Sequence, residues 1–151
     1  MSDDDAAASR PVLVDTDVFS RVYVTEPRDD DATAWARVLE GRTVVIAVQT
    51  AVELRVWPLL KNWGDKRTQR LTTLIGSVPT IQISQDVQDR YVDLSAWAKS
   101  SGHGLQAKAN VGDRWIAATA LAHDLELAAR DGIYDGVAGL RLLKTTGSTY
   151  P

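Results

Sequence analysis

Pro11-Val12-Leu13-Val14-Asp15 is a short run of apolar residues that ends on an acid. Continuous apolar runs of this length are typical of strands that are buried on both faces of a parallel sheet. In such sheets, ligands bind outside the carboxyl ends of the strands, which is where Asp15 stands. We therefore take this run as the first strand of a parallel sheet and Asp15 as the first candidate site residue.

The rest of the chain alternates helical and strand patterns. Such alternation implies right-handed crossovers and a sheet covered on both faces, so we predict a three-layer α/β/α fold around a mainly parallel sheet of about five strands. Further strands are predicted at 43–47, 80–83, 125–129 and 140–143. Helices are predicted at 16–24, at 31–40, after a cap at Gln49-Thr50 with an end or kink at Pro58, at 65–75, after a cap at Ser84, and after Gly112-Asp113 with apolar residues on nearly every face.

Length and composition indicate one ordinary globular domain. The chain has 151 residues, of which 44% are hydrophobic and 25% charged. We predict a short disordered tail at 1–10 and a single domain at 11–151. There is no cysteine, which excludes disulfides and thiolate sites, and no apolar run approaches the length of a membrane helix. We expect a cytoplasmic protein that is neither exported nor anchored.

The formal charge of −3 argues against a protein that binds polyanions over its whole surface. Any role with nucleic acid therefore requires a local basic patch.

Three acids follow predicted strands or lie one helical turn beyond them. Asp15 follows strand one, Glu53 lies in the first turn after strand two, and Asp131 follows strand four. Asp113 lies instead at the N-terminus of the apolar helix, where the helix dipole favours a negative charge. If strands one and four are neighbours, all four acids face one mouth of the sheet.

Clustered carboxylates raise one another's pKa unless a cation is present. Mg²⁺ or Mn²⁺ is the natural cation, because hard divalent ions take carboxylate oxygens and promote attack on a phosphodiester. Hydrolysis of a phosphodiester with one or two metal ions is the chemistry that follows. Taken singly, each acid has a structural explanation, since Asp is common after strands and at helix caps.

Three stretches of the chain carry a family resemblance: Val14-Asp15-Thr16-Asp17-Val18-Phe19, Thr50-Ala51-Val52-Glu53-Leu54-Arg55 and Gly112-Asp113-Arg114-Trp115-Ile116-Ala117-Ala118-Thr119-Ala120-Leu121-Ala122-His123. Together they resemble the PIN-domain family, and in particular the VapC toxins of bacterial toxin–antitoxin pairs. The resemblance covers almost the whole chain after residue 10, and the helix that follows Asp113 is its most specific part.

The resemblance implies a Mg²⁺- or Mn²⁺-dependent endoribonuclease that cuts structured RNA such as tRNA or rRNA, inhibits translation and is neutralised by a cognate VapB-like antitoxin. It also implies a homodimer. Asp15, Glu53, Asp113 and Asp131 fall on the family's four acidic positions.

Three further residues are secondary candidates. Thr16 and Asp17 adjoin the first acid, and Asp17 either adds charge near the metal or caps the first helix, which we favour. Many relatives carry a further Asp before an aromatic residue after the fourth acid. Here Ile133 precedes Tyr134 and the nearest acid is Asp135, so a fifth carboxylate is doubtful.

A basic stretch follows Glu53, with Lys66 and Arg70 spaced to share one helix face. It is either an RNA-binding surface or a solvated face, and the family resemblance favours RNA, because an acidic cleft needs nearby cations to attract a polyanion. We expect Trp57 and Trp63 to pack rather than stack on bases, and His103 and His123 to have structural or solvent roles. The proposed RNA-binding residues are Arg55, Lys66, Arg67 and Arg70.

Two other functions start from the same residues. Asp15-x-Asp17 with Gly112-Asp113 downstream also resembles a haloacid-dehalogenase-like phosphatase, with Asp15 as nucleophile and Asp17 as general acid. That hypothesis leaves Glu53 without a role and needs a lysine that we cannot place. The second alternative is a non-catalytic module that binds RNA or a protein partner.

Overall fold

The computed structural model of the chain describes residues 10–26 and 28–145. Apart from Arg10, the predicted tail lies outside these residues, and so do residues 146–151 of the predicted domain. None of the helices in the described ranges combines the length and the apolar content that a membrane crossing requires.

In the described part of the chain, five parallel strands form one sheet in the order β3-β2-β1-β4-β5. Each apolar run predicted from the sequence contains a strand, because a strand buried on both faces needs apolar residues throughout. The strands are β1 (Val12–Val14), β2 (Val44–Ala47), β3 (Thr80–Ile81), β4 (Glu126–Ala128) and β5 (Leu142–Leu143).

Within the described ranges, six α-helices connect the strands. Helix α1 continues directly into a π-helical turn, Ser20–Val24. The helices are α1 (Thr16–Phe19), α2 (Asp30–Leu39), α3 (Val48–Leu60), α4 (Asp65–Ser77), α5 (Gln85–Ser101) and α6 (Val111–His123). Short 3₁₀ turns lie at Gly104–Gln106, Lys108–Asn110 and Gly132–Tyr134.

The helices cover both faces of the sheet, and the side chains of each strand alternate between them. Leu13 of β1 packs with α5 and α6 in one apolar cluster, whereas Val12 and Val14 pack with α1 to α4 in the other. This alternation follows from the period of two along a strand. The predicted three-layer α/β/α architecture is confirmed.

Three predicted boundaries were wrong, and one of them is the start of β5, which lies at Leu142 rather than at residue 140. Helix α3 begins at Val48, directly after β2 and without a side-chain cap, so Gln49-Thr50 is not its cap. Pro58 lies in the last turn, and the helix ends at Leu60. Strand β3 stops at Ile81 rather than at residue 83, because the amide of Ser84 turns back to the carbonyl of Gln82.

Other helix ends lie where the sequence predicts them. Ser84 caps α5 and accepts from the amide of Val87, and Gly102 ends that helix in the left-handed conformation that glycine adopts without strain. Helix α6 is central, as predicted: Ile116, Ala117, Ala118, Thr119 and Ala120 are all buried.

Candidate active site

Asp15 occupies the sharp turn between β1 and α1, and only 4% of its surface is exposed. Its backbone amide donates to the carbonyl of Ala128 in β4, and its Oδ1 accepts from the amide of Val18 at 2.9 Å. Asp15 is therefore the N-cap of α1. The sheet thus fixes the backbone of Asp15 through β4, and the first turn of α1 orients its carboxylate.

Glu53 reaches the site from α3. Because that helix begins at Val48, Glu53 lies in its second turn rather than its first, and its side chain is exposed. The hydroxyl of Thr16 lies 2.9 Å from the hydroxyl of Thr50, three residues before Glu53. This bond joins the start of α1 to the start of α3 and positions the two acids relative to one another.

Asp113 lies in the first turn of α6, as predicted, and is half-buried. Its Oδ1 accepts a hydrogen bond of 3.1 Å from the hydroxyl of Tyr134. Asp131 lies beyond β4, with Ala129 and Arg130 between them, and its Oδ1 accepts from the amide of Ile133 at 3.0 Å. It thus caps the 3₁₀ turn Gly132–Tyr134 instead of directly following the strand.

The charges of the four acids act on one another. Burial raises the pKa of Asp15 from 3.8 to about 7; the hydrogen bond from Val18 opposes this, and the charges of Asp17, Asp113 and Asp131 add to it. Burial also raises the pKa of Asp113, with the charges of Asp131 and Glu53 acting in the same direction. The cluster therefore carries an unfavourable concentration of negative charge.

The donor set suits a hard divalent cation, since it consists of carboxylates whose mutual repulsion such an ion would relieve. Across the described ranges, however, no three Asp, Glu or His side chains converge closely enough to hold an ion between them as they stand. Asp15, Glu53, Asp113 and Asp131 form an electrostatically coupled cluster rather than a finished coordination sphere.

Residues 12–140 match the family model of the PIN domain. The chain belongs to the PIN-domain family. It is 33% identical over 138 residues to the VapC ribonuclease Y4jK of Sinorhizobium fredii, an alignment that covers 87% of this chain and 95% of that protein. Toxin FitB of Neisseria gonorrhoeae is 28% identical over 126 residues, covering 80% of this chain and 87% of FitB.

Solved structures share the PIN fold. FitAcB from Neisseria gonorrhoeae superposes with a TM-score of 0.69 at 25% identity, covering 88% of this chain and 96% of that chain. VapBC2 from Rickettsia felis, bound to a DNA fragment from its promoter, superposes with a TM-score of 0.72 at 15% identity, covering 89% and 98%. At that identity the second likeness concerns the fold alone, and it agrees with the PIN-like architecture predicted above.

Asp17 does not cap the first helix of this PIN domain, because Asp15 does so. The two carboxylate oxygens of Asp17 face two guanidinium groups: Oδ1 lies 3.0 Å from Arg21 Nε and Oδ2 lies 3.4 Å from Arg130 Nη1. Arg130 Nε also lies 3.0 Å from Asp31 Oδ2 at the start of α2. Asp17 thus neutralises cations beside the site, a role that its position in the sequence did not reveal.

Asp135 lies outside the coupled acids. Its Oδ1 is 3.8 Å from Lys144 Nζ, and its carbonyl accepts from His103 Nε2 at 2.7 Å. Because His103 Nδ1 accepts from the amide of Leu105, this histidine has the structural role that was predicted. His123 is exposed at the end of α6.

The importance of two residues near the site, Tyr134 and Arg114, was not recognised from the sequence. The hydroxyl of Tyr134 contacts an acid far earlier in the chain, and only its place after the fourth acid could have drawn attention to it. Arg114 is buried and donates to the carbonyls of Leu105 and Gln106, which ties the loop before α6 to the turn that holds Asp113. A charged residue within an otherwise apolar helix was the available signal.

The predicted RNA-binding residues do not form one row. Arg55 is exposed on α3, whereas Lys66 and Arg70 line a shallow depression on α4 together with Gln69 and Thr73. Arg67 stacks over Trp63, with 3.7 Å from Cζ to the ring centroid. Trp57 and Trp63 both pack against an apolar core cluster, so the preference for packing is confirmed.

A groove runs between the π-helical turn and α4. Its lining is apolar at Trp63, Leu71 and Leu74, and the arginines Arg67 and Arg70 border it. The groove could therefore accept an apolar segment that carries acidic residues.

Proposed function

We propose that this PIN domain is a metal-dependent endoribonuclease of the VapC type, acting in the cytoplasm on structured RNA such as tRNA or rRNA. The observation that carries the proposal is the placement of Asp15: its carboxylate is buried at the end of the central strand, where burial and the charges of Asp113 and Asp131 raise its pKa to about 7. Perturbed acids of this kind concentrate at functional sites. The 33% identity to a VapC ribonuclease supports the reaction class.

Asp15, Glu53, Asp113 and Asp131 would hold Mg²⁺ or Mn²⁺, as one ion or two. Such an ion supplies Lewis acidity towards a phosphodiester and makes water a stronger nucleophile near neutral pH. Three of the four carboxylates are oriented by donors of the chain itself: the amide of Val18 holds Asp15 Oδ1, the hydroxyl of Tyr134 holds Asp113 Oδ1 and the amide of Ile133 holds Asp131 Oδ1. Preorganised groups need little rearrangement when substrate binds.

RNA would be guided to the acids by the cations of α3 and α4. A chain with a net charge of −3 needs a local surplus of positive charge to attract a polyanion. Lys66 and Arg70 share one face of α4, Arg67 borders the adjoining groove, and Arg55 is exposed separately on α3.

A VapB-like antitoxin is the expected protein partner. The structural relatives include the complexes FitAcB and VapBC2. The apolar groove beside α4 with its arginine border matches an antitoxin segment that combines apolar and acidic residues.

A second copy of the chain is the other expected partner. Helix α3 exposes apolar side chains along one face, and Leu59 and Leu60 are 80% and 73% exposed. Val52 and Val56 continue the same face. Contiguous exposed apolar surface of this kind marks interaction sites.

The phosphatase hypothesis is weaker in the structure. A general acid at Asp17 would need a carboxyl group that faces the substrate, yet both of its oxygens lie beside guanidinium groups of the chain itself. The chain also belongs to the PIN-domain family, which is a different family from these phosphatases. The non-catalytic hypothesis is decided by the experiment below.

The decisive experiment is cleavage of total cellular RNA by purified protein with Mg²⁺ or Mn²⁺, followed by sequencing of the new 5′ ends. We expect cuts at a few sites that vanish with EDTA. Asp15→Asn and Asp113→Asn should each reduce cleavage by about a hundredfold or more while the melt stays cooperative, because each removes a metal donor. Asp86→Asn, an exposed acid on α5, is the matched control and should cleave like the wild type.

Several results would contradict the proposal. Cleavage that survives EDTA or the two variants would mean that the acids are not the site. Hydrolysis of a phosphomonoester that is lost with Asp17→Asn but not with Glu53→Gln would identify a phosphatase. If no RNA is cut and expression arrests no cells, the domain only binds.

A further inference from the structure

Tyr134 is a buried aromatic residue with its polar end at the acid cluster. The residue is only 1% exposed, and its ring belongs to the apolar cluster that includes Leu105 and Ala117. Its hydroxyl donates to Asp113 Oδ1 at 3.1 Å. The Tyr134 side chain thus packs in the hydrophobic core and places its hydroxyl, a hydrogen-bond donor, at the acid cluster.

The turn that carries Tyr134 is fixed at several points. Asp131 Oδ1 accepts from the amide of Ile133, and the carbonyl of Asp135 accepts from His103 Nε2. Lys144 Nζ donates to the carbonyl of Ala129, which precedes the turn. With its ring packed and its turn held on both sides, Tyr134 offers its hydroxyl at a position that the fold determines.

Asp113 depends on this donor. Among the side-chain hydrogen bonds of the described residues, the one from Tyr134 is the only bond that its carboxylate accepts. Oδ1 is held and Oδ2 is left available. A carboxylate with one oxygen in a hydrogen bond has less rotational freedom before it binds an ion. Less entropy is therefore lost when the other oxygen coordinates the ion.

We propose that Tyr134 is a positioning residue for the divalent ion, because its hydroxyl orients the Asp113 carboxylate so that the second oxygen coordinates metal. This inference rests on the proposed function, which supplies the metal. A phenylalanine would fill the same space in the core without the donor, so the hydroxyl is the functional part of the side chain.

Burial alone gives another explanation for the bond. A buried phenol seeks a partner wherever it lies, and Asp113 could simply satisfy it. The two explanations differ in one respect. If the bond only satisfies the phenol, its loss affects the stability of the fold and leaves metal affinity unchanged.

The experiment measures binding of Mg²⁺ and of Mn²⁺ to the full chain by calorimetry, without RNA. We expect Tyr134→Phe to bind each ion about tenfold more weakly, the loss typical when a partner that orients a metal ligand is removed. Asp113→Asn should lose most of the binding. Tyr23→Phe is the control: this tyrosine lies on the π-helical turn with its ring against Phe19, and the variant should bind metal like the wild type.

A second measurement covers the case in which Tyr134→Phe is destabilised. The rise in Tm caused by each ion is compared with the metal-free melt of the same variant, so a weaker fold does not obscure the result. Tyr134→Phe should show a smaller rise than Tyr23→Phe.

Failure of this inference and failure of the proposed function give different results. If the wild type binds neither ion, the metal-dependent function itself is wrong. If the wild type binds and Asp113→Asn does not, but Tyr134→Phe binds as tightly as the wild type, the hydroxyl serves the fold alone and the inference is overturned.

Discussion

At the scale of single residues, Asp15 shows how this fold keeps a carboxylate in a buried position at the end of a strand. Its position at the end of the central strand excludes water, and its neighbours include other acids. One amide hydrogen bond, from Val18, opposes both effects without cancelling them. The residue is therefore retained at a cost to the stability of the folded chain.

The destabilisation of the folded chain by the Asp15 carboxylate depends on pH. The pKa of Asp15 is about 7 in the folded chain, against an ordinary 3.8, so the folded state binds the proton more tightly than the unfolded state. The free energy of unfolding therefore falls as pH rises between these two values, by about 1.4 kcal/mol for each pKa unit of difference. We expect metal-free Asp15→Asn to melt above the wild type at about pH 8, with a smaller difference at about pH 5.

Thermal melts in EDTA at both pH values measure the effect. Glu40→Gln, an exposed acid at the end of α2, is the control and should alter Tm little at either pH. A difference between Asp15→Asn and the wild type that does not change with pH would show that the charge of Asp15 is not what costs stability.

At the scale of elements, the start of α6 is held by Arg114. Its guanidinium donates to the carbonyls of Leu105 and Gln106 and to the hydroxyl of Ser95, and it lies over the ring of Tyr91. These contacts tie α5, the loop after it and α6 into one unit. Because Asp113 is the preceding residue, the same contacts determine where the third acid lies.

We predict that Arg114→Lys lowers the free energy of unfolding by about 1–3 kcal/mol, since a lysine ammonium cannot reproduce the planar fork and leaves buried carbonyls unpaired. Urea denaturation measures the change. Arg90→Lys, an exposed arginine on α5, is the matched control and should be close to neutral. Equal stability of Arg114→Lys and the wild type would mean that the guanidinium contacts contribute nothing to the fold.

The elements also show what the sequence could predict. Runs such as Val44 to Ala47 and the apolar helix α6 are recognisable because burial on several sides requires apolar residues at every position. The start of α3 was misplaced, since Thr50 resembles a cap but bonds instead to Thr16, 34 residues earlier. Such long-range contacts leave no local pattern.

The candidate site likewise combines residues that the sequence could predict with long-range contacts that it could not. Asp15 and Asp113 could be proposed because strand ends and helix starts are recognisable in a sequence. The ion pair of Asp17 with Arg130 and the bond from Tyr134 to Asp113 join distant parts of the chain. Their partners become visible only when the sheet order is known.

At the scale of the whole molecule, the exposed face of α3 predicts the oligomeric state. We expect a homodimer in solution, because Leu59 and Leu60 lose contact with water when a second copy covers them. Leu59→Lys should shift the mass measured by light scattering after gel filtration from dimer to monomer. Val92→Lys, an isolated exposed valine on α5, is the control and should leave the dimer intact.

A monomeric wild type would contradict this prediction. So would a dimer that persists in Leu59→Lys and separates in Val92→Lys, since the interface would then lie on the opposite side of the sheet.

The pairing of β1 with β4 also bears on how a cell makes such a protein. Asp15 is synthesised long before β4, the strand that completes its surroundings. Asp131 and Tyr134 follow later still. A nascent chain that ends before β4 has only part of the acid cluster, so β4 and the turn after it must be translated before the site is complete. The strand order thus delays the activity of the proposed toxin until this part of the chain has been made.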